Sequence, residues 1–160
     1  MNITKYQKLF GVGPLGLLIS LILLALLWLI DRDLGGVQIS TQARPVRIID
    51  LILIGAWICW HLWATMTIKR WWFHDHLCTT GPFRIVRHPI YSGSLLLACP
   101  GVSLLLNSWI VLLLPVIMYP ILSILVRKEE AMMTAIFGKQ YTRYAVRIGR
   151  LIPRFWCPRP

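Results

Sequence analysis

Residues 90–126 read IYSGSLLLACPGVSLLLNSWIVLLLPVIMYPILSILV and contain no charged side chain. As an α-helix rising 1.5 Å per residue, this run would be about 55 Å long, nearly twice the thickness of a bilayer's hydrocarbon core. Its turn-forming pair near the middle is Asn107-Ser108. The run therefore predicts a tight helical hairpin, with membrane-spanning helices over about 91–106 and 108–126.

Two more apolar runs precede this hairpin. Residues 9–30 carry no charge, and residues 48–68 form a second run with a single aspartate near its start. Each run is long enough to cross a bilayer as a helix. We therefore predict an all-α integral membrane protein with four transmembrane helices, in a single domain of residues 1–160.

The composition supports a membrane protein and excludes several other classes. The chain is 57% hydrophobic and 14% charged, with a formal net charge of +11. Because its cations flank apolar runs, they indicate orientation in a membrane and contact with anionic lipid, and we expect no nucleic-acid partner. The cysteines show no CxxC spacing, so neither a disulfide framework nor a metal site is indicated.

The distribution of lysine and arginine predicts the orientation. With the amino terminus inside, every lysine and arginine except Arg32, Arg44 and Arg47 falls on the cytoplasmic side. The positive-inside rule then places both termini of this multi-pass protein in the cytoplasm. In a bacterium the membrane would be the inner, or plasma, membrane.

The carboxyl-terminal residues predict a further helix. From Glu129 onwards, apolar side chains recur at spacings of three and four residues, with basic residues elsewhere. This periodicity is typical of an amphipathic helix lying on a membrane surface. We predict such a cytoplasmic helix over about 128–148.

Two polar clusters flank the hairpin and are predicted to meet at one membrane face. The first is TTGPFRIVRHPIYSG, residues 79–93, and the second is RKEE, residues 127–130. The paired carboxylates of Glu129 and Glu130 repel each other, so a positive group is expected nearby. A solvated surface network with Arg127 and Lys128 would provide one, and a cationic ligand such as S-adenosylmethionine would provide another.

The two clusters also match a sequence pattern found in a known protein family. The segment GPFRIVRHPIYSG, followed at a distance by EEAMMTAIFGKQYTRYAVRIGRLIP, resembles the isoprenylcysteine carboxyl methyltransferase family and the related phospholipid N-methyltransferases. The resemblance covers residues 76–153. It implies an integral membrane methyltransferase that uses S-adenosyl-L-methionine, releases S-adenosyl-L-homocysteine and acts on a small lipophilic acceptor in the lipid bilayer.

The resemblance also implies roles for individual residues. The prenylcysteine enzymes have a substrate-binding arginine one turn before the glutamate, where this chain has Leu125, so Arg127 and Arg87 are candidate substitutes. Together with Glu130 these arginines are the predicted catalytic residues. An amine acceptor would need a base such as Glu130, Glu129 or His88, whereas a carboxylate acceptor would not. The predicted cofactor-binding residues are His76, Leu77, Cys78, Gly81, Phe83, His88, Pro89, Tyr91 and Glu129.

Two other functions are compatible with the sequence. One is an NADPH-dependent membrane reductase of the sterol-reductase type, which shares the carboxyl-terminal half in weaker form. The other is a non-enzymatic membrane scaffold or transporter subunit, whose polar clusters would anchor it to lipid. The acceptor and the oligomeric state are left open by the sequence.

Overall fold

A computed structural model describes residues 13–36, 38–41, 43–72 and 76–154, so residues 9–12 of the first predicted span lie outside the described part. The regular secondary structure of the described residues is helical, and these residues form two isolated β-bridges but no strand. This confirms the predicted all-helical class. The helices are α1 (Gly13–Asp33), α2 (Ala43–Trp72), α3 (Pro89–Leu105), α4 (Leu114–Phe137) and α5 (Lys139–Arg147).

Three of the described segments are long and apolar enough to cross a membrane, namely Gly13–Asp33, Arg44–Lys69 and Val111–Phe137. Helix α3 is shorter, with 17 residues. Much of the outer surface is apolar, as Leu17, Leu51 and Val116 are each more than 60% exposed. Such surfaces suit contact with lipid. A fourth span and the orientation of the termini stay predictions.

The hairpin turns where the sequence predicts, but its second helix begins later. Asn107 adopts a left-handed conformation with φ of 51°, which asparagine tolerates better than most residues. The buried hydroxyl of Ser108 then accepts a hydrogen bond from the Val111 amide at 3.1 Å. A short 3₁₀ turn, Val111–Leu113, precedes α4, which therefore begins at Leu114 and not at 108.

The carboxyl-terminal helices also differ from the prediction. Helix α4 does not end at 126 but continues through the RKEE cluster to Phe137, because those four residues include no helix breaker. The break falls at Gly138, whose φ of 51° and ψ of −125° suit glycine better than other residues. A single helix over 128–148 is therefore wrong, since these residues comprise the end of α4 and the separate α5.

Helix packing places the two halves of the hairpin against different partners. Helix α2 lies along α3, where Gly93 faces Trp60 and Gly101 faces Ile54. Helix α1 lies along α4, and its Ser20 hydroxyl donates to the Met118 sulfur at 3.6 Å. The core between them also contains a residue from the carboxyl-terminal segment. Its buried members are Leu27, Leu95, Val111, Leu114, Met118, Leu122 and Leu151.

Candidate active site

The two polar clusters meet beside the start of α3. The His88 Nδ1 atom lies 3.3 Å from Glu129 Oε2, and its Nε2 atom lies 3.3 Å from Glu130 Oε1. The Tyr91 hydroxyl donates to Glu129 Oε1 at 2.7 Å, and its ring stacks on His88 with 5.9 Å between centroids. The hairpin thus brings both glutamates into contact with His88 and Tyr91, at the start of its first helix.

Glu130 is surrounded by three basic side chains. Arg87 Nη2 lies 3.1 Å from its Oε1, and His88 is the second neighbour. Arg150 Nη2 donates to Oε2 at 2.6 Å, while Arg150 Nε lies 3.0 Å from both carboxylate oxygens. Only 12% of the Glu130 side chain is exposed. Contacts of this kind are charge-assisted and stronger than neutral hydrogen bonds.

Arg150 was not predicted as a site residue. It lies in RIGRLIP, which belongs to the matched pattern but had no assigned role. The only available signal was that a pair of adjacent carboxylates needs positive neighbours. That rule does not specify which of the many arginines supplies them, so the partner could be identified only from the structure.

Backbone contacts attach the segment after α5 to the loop before α3. The Arg87 amide donates to the Gly149 carbonyl at 2.8 Å, and the His88 amide donates to the Arg150 carbonyl at 3.2 Å. Position 149 has no room for a side chain, because a Cβ there would lie 2.1 Å from the Ile152 carbonyl oxygen. Leu151, only 1% exposed, anchors the segment in the core. This segment therefore fixes the positions of Arg87 and His88.

Helices α2 and α5 support the rest of the loop. The Trp60 indole donates to the Pro89 carbonyl at 2.7 Å. The Tyr144 hydroxyl of α5 donates to the Phe83 carbonyl, also at 2.7 Å. Phe83 and Pro89 are both buried. Their backbone carbonyls are therefore held by side chains of two different helices.

The other predicted cofactor-binding residues lie earlier in the same loop. Leu77 is buried and Cys78 is half-buried, whereas His76 is exposed. A Cβ at Gly81 would lie 3.0 Å from the Thr67 hydroxyl of α2, so Gly81 lies against that helix. These residues thus share the loop with His88, but the described hydrogen bonds do not link their side chains to the two glutamates.

Arg127, a predicted catalytic residue, does not join the cluster. It is exposed and makes no ion pair with the described residues. At 100° per residue, the direction of its side chain differs by about 160° from that of Glu129. Its direction is only about 60° from that of Glu130, but the described ion pairs of Glu130 are made by Arg87, His88 and Arg150 and not by Arg127.

The surroundings raise the pKa of two groups in the loop, His88 and Cys78. Burial alone would lower the pKa of His88, but its hydrogen bonds to Glu129 and Glu130 and their negative charges raise that pKa overall. A raised pKa makes His88 a cation over more of the neutral range and hence a poor base. Burial raises the pKa of the Cys78 thiol, so it is not poised as a nucleophile.

A cavity of about 460 Å³ opens beside this cluster. Arg87 and Arg150 form part of its wall, and Tyr119, Ile152 and Arg154 lie around the rest. Its volume is within the range of small-molecule sites. The glutamates and Tyr91 of the neighbouring cluster suit a cation, whereas the arginines in the wall of the cavity suit an anion.

Comparison with known proteins agrees with the resemblance seen in the sequence. A family model described as phospholipid methyltransferase matches residues 47–140, more than half of the chain. Protein-S-isoprenylcysteine O-methyltransferase B from Arabidopsis thaliana is 31% identical over 80 residues, which are 50% of this chain and 41% of that protein. The chain thus spans less than half of that relative, and no solved structure shows a significant match. The matched residues include both polar clusters, and the chain belongs to the phospholipid methyltransferase family.

Proposed function

We propose that this protein is an S-adenosylmethionine-dependent methyltransferase that acts on a lipophilic or lipid-borne acceptor. One observation carries the proposal: Glu129 is joined to Tyr91 and His88 across the hairpin, within a chain of a methyltransferase family. The relative from Arabidopsis thaliana is named as an O-methyltransferase, which supports the same reaction class.

The residues of the cluster fit this cofactor. S-adenosylmethionine has a positive sulfonium and a positive ammonium group, together with one carboxylate. The Glu129 carboxylate, only 15% exposed, matches either cation. The Tyr91 ring can face a cation, and the basic loop of residues 84–88 supplies positive groups for the carboxylate. When bound, the cofactor would supply an electrophilic methyl group.

The protein would contribute orientation, exclusion of water and charge balance. Packing of the loop against α2 and α5 holds the cluster in place, and partial burial keeps it from bulk water. Such positioning accounts for much of the rate of a displacement reaction. No covalent bond between the protein and the acceptor is required.

The chemical nature of the acceptor determines whether a base is needed. A carboxylate is ionised at neutral pH, whereas an amine must first lose a proton. Glu130 is held by Arg87 and by both donors of Arg150, and His88 is favoured as a cation. Glu129 also has partners, since it accepts from Tyr91, contacts His88 and is proposed to bind a cation of the cofactor, so the cluster favours an acceptor that is already ionised.

The proposed site lies on the cytoplasmic face of the membrane. Glu129 and Glu130 come just after the uncharged run of α4, which ends at Val126, so they lie in the carboxyl-terminal part of the candidate span Val111–Phe137. The positive-inside rule favours the cytoplasm for this end, which is also rich in arginine. An acceptor anchored in the bilayer could then reach the site with its polar group near the membrane surface.

Calorimetric titration of the detergent-purified protein with S-adenosylhomocysteine tests the proposal. We expect wild type to bind, and Glu129→Gln to bind at least about tenfold more weakly, because a charged hydrogen bond contributes about 1.5–3 kcal/mol. Lys128→Gln is the matched control, since this exposed neighbour on the same helix should leave the affinity unchanged.

NADPH is titrated in parallel to distinguish the alternative functions. Binding of NADPH without S-adenosylhomocysteine would replace the proposal with a reductase. Binding of neither compound would favour a scaffold or transporter subunit. Equal weakening by Glu129→Gln and Lys128→Gln would show that Glu129 has no specific role.

A further inference from the structure

The imidazole of His88 lies between two carboxylates and faces one of them with each of its nitrogens. Its Nδ1 atom is 3.3 Å from Glu129 Oε2, and its Nε2 atom is 3.3 Å from Glu130 Oε1. A neutral imidazole has one N–H donor, whereas the imidazolium cation has two. Because an ionised carboxylate can only accept, both contacts are satisfied together only when His88 is a cation.

The side chains of the cluster already carry an excess of positive charge. Glu129 and Glu130 contribute two negative charges, whereas Arg87, His88 and Arg150 contribute three positive ones. The side chains of His88 and Glu130 are only 10% and 12% exposed, so water screens these charges incompletely. A further cation beside Glu129 would increase the excess, which is unfavourable unless one of the three basic groups loses its charge.

Among the described groups around His88, the imidazole is the one cation that can lose its charge near neutral pH. Arg87 and Arg150 stay charged, because arginine does not deprotonate in proteins. The ring of Tyr91 stacks on His88 and carries no positive charge. Burial raises the pKa of Tyr141, on α5, to about 12, so its hydroxyl stays neutral. Histidine is the residue type of this group that titrates near neutral pH.

We propose that binding of the cofactor releases the Nδ1 proton of His88. Glu129 pairs with the α-ammonium group of the cofactor, and His88 loses the hydrogen of Nδ1 to the solvent as a proton. The ring keeps its Nε2 hydrogen and still donates it to Glu130. The lone pair left on Nδ1 can accept a hydrogen bond from the same ammonium group. Arg84 and Arg87 of the loop then remain for the carboxylate of the cofactor.

This inference rests on the proposed function, and calorimetric titration with S-adenosylhomocysteine at about pH 6.5 tests it. Titrations of the detergent-purified protein in phosphate and in Tris buffer give the number of protons released, because the two buffers take up protons with different heats. The ammonium of the ligand is already protonated at this pH, since α-amino groups titrate near about pH 8. The pKa of His88 is raised above its ordinary value of 6.5 in the free protein, so most chains hold the proton.

We expect at least about 0.3 proton to be released per molecule bound, and the affinity to rise at least about twofold from about pH 6 to about pH 7. Binding without a change in protonation would overturn the inference and leave the proposed function standing. Uptake of a proton would do the same, because it would place the carboxylate of the ligand, and not its ammonium, beside His88. Absence of binding would overturn the inference and the proposed function together.

Methylthioadenosine is the matched control ligand, because it keeps the nucleoside but lacks the ammonium and carboxylate groups. Its binding should release no proton. Release equal to that of S-adenosylhomocysteine would assign the proton to the nucleoside part of the site, and the inference would fail.

Two variants assign the proton to its residue. His88→Gln should bind S-adenosylhomocysteine without releasing a proton, and its affinity should not change between about pH 6 and about pH 7. His61→Gln is the matched control, because His61 lies within the candidate span Arg44–Lys69 and its Nδ1 atom has no partner among the described residues. It should release the proton as wild type does. Undiminished release from His88→Gln would refute the assignment, and if that variant does not fold, the comparison of the two ligands on wild type decides.

Discussion

Replacing Arg150 by glutamine should destabilise the protein measurably. The substitution removes a guanidinium that donates from Nε and Nη2 to Glu130, at distances between 2.6 and 3.0 Å. Glu130 is 12% exposed and cannot turn freely toward water. It keeps Arg87 at 3.1 Å and His88 at 3.3 Å. The variant therefore leaves a partly buried carboxylate with fewer partners, but not an isolated one.

The size of the effect follows from this arrangement. Removing one member of a fully buried ion pair costs about 3–5 kcal/mol. Because a third of the Arg150 side chain is exposed and Glu130 keeps two partners, we expect a smaller loss, about 1–3 kcal/mol. For a chain of this size each kcal/mol shifts the unfolding midpoint by about 2–4 °C, so a fall of about 2–12 °C is expected.

Thermal unfolding in detergent, followed by intrinsic tryptophan fluorescence, measures this fall. Arg150→Lys should lie between wild type and Arg150→Gln, since lysine keeps the charge but lacks the planar pair of donors. Arg143→Gln is the matched control, because Arg143 is exposed on α5. If Arg150→Gln lowers the midpoint no more than Arg143→Gln does, the Arg150–Glu130 contact does not stabilise the fold.

Two further predictions concern the loop and the segment attached to it. Because the pKa of His88 is raised above its ordinary value of 6.5 in the folded protein, its contribution to stability is complete below pH 6.5 and is lost as the pH rises through the raised value. The unfolding midpoint of wild type should therefore fall relative to His88→Gln above pH 6.5, and parallel pH profiles would contradict this. Gly149→Ala should cost about 1–3 kcal/mol, since the added Cβ would lie 2.1 Å from the Ile152 carbonyl oxygen. Gly55→Ala, with open space around its Cβ, is the control, and an equal midpoint for both variants would refute this account of Gly149.

Several features of the fold followed from the sequence because they depend on local properties. Long uncharged runs produce helices in a membrane protein, since backbone groups in lipid must bond within their own segment. The turn at Asn107 was predictable because few residues in that run tolerate a reversal. The charged residues after Val126 predict the end of a span but not the end of a helix, because Arg, Lys and Glu are good helix formers, and α4 therefore continues to Phe137.

The candidate site also has some features that the sequence determines and others that depend on tertiary packing. The sequence by itself determined the helical class, the two polar clusters and the family, because apolar runs and motif spacing can be read along the chain. Only the tertiary structure decided that Arg150, and not Arg127, contacts Glu130. The face of α4 that packs against the loop and the return of the segment after α5 both depend on contacts between residues far apart in sequence. Charge complementarity requires a cation beside the glutamates, but the packing of the whole chain determines which one it is.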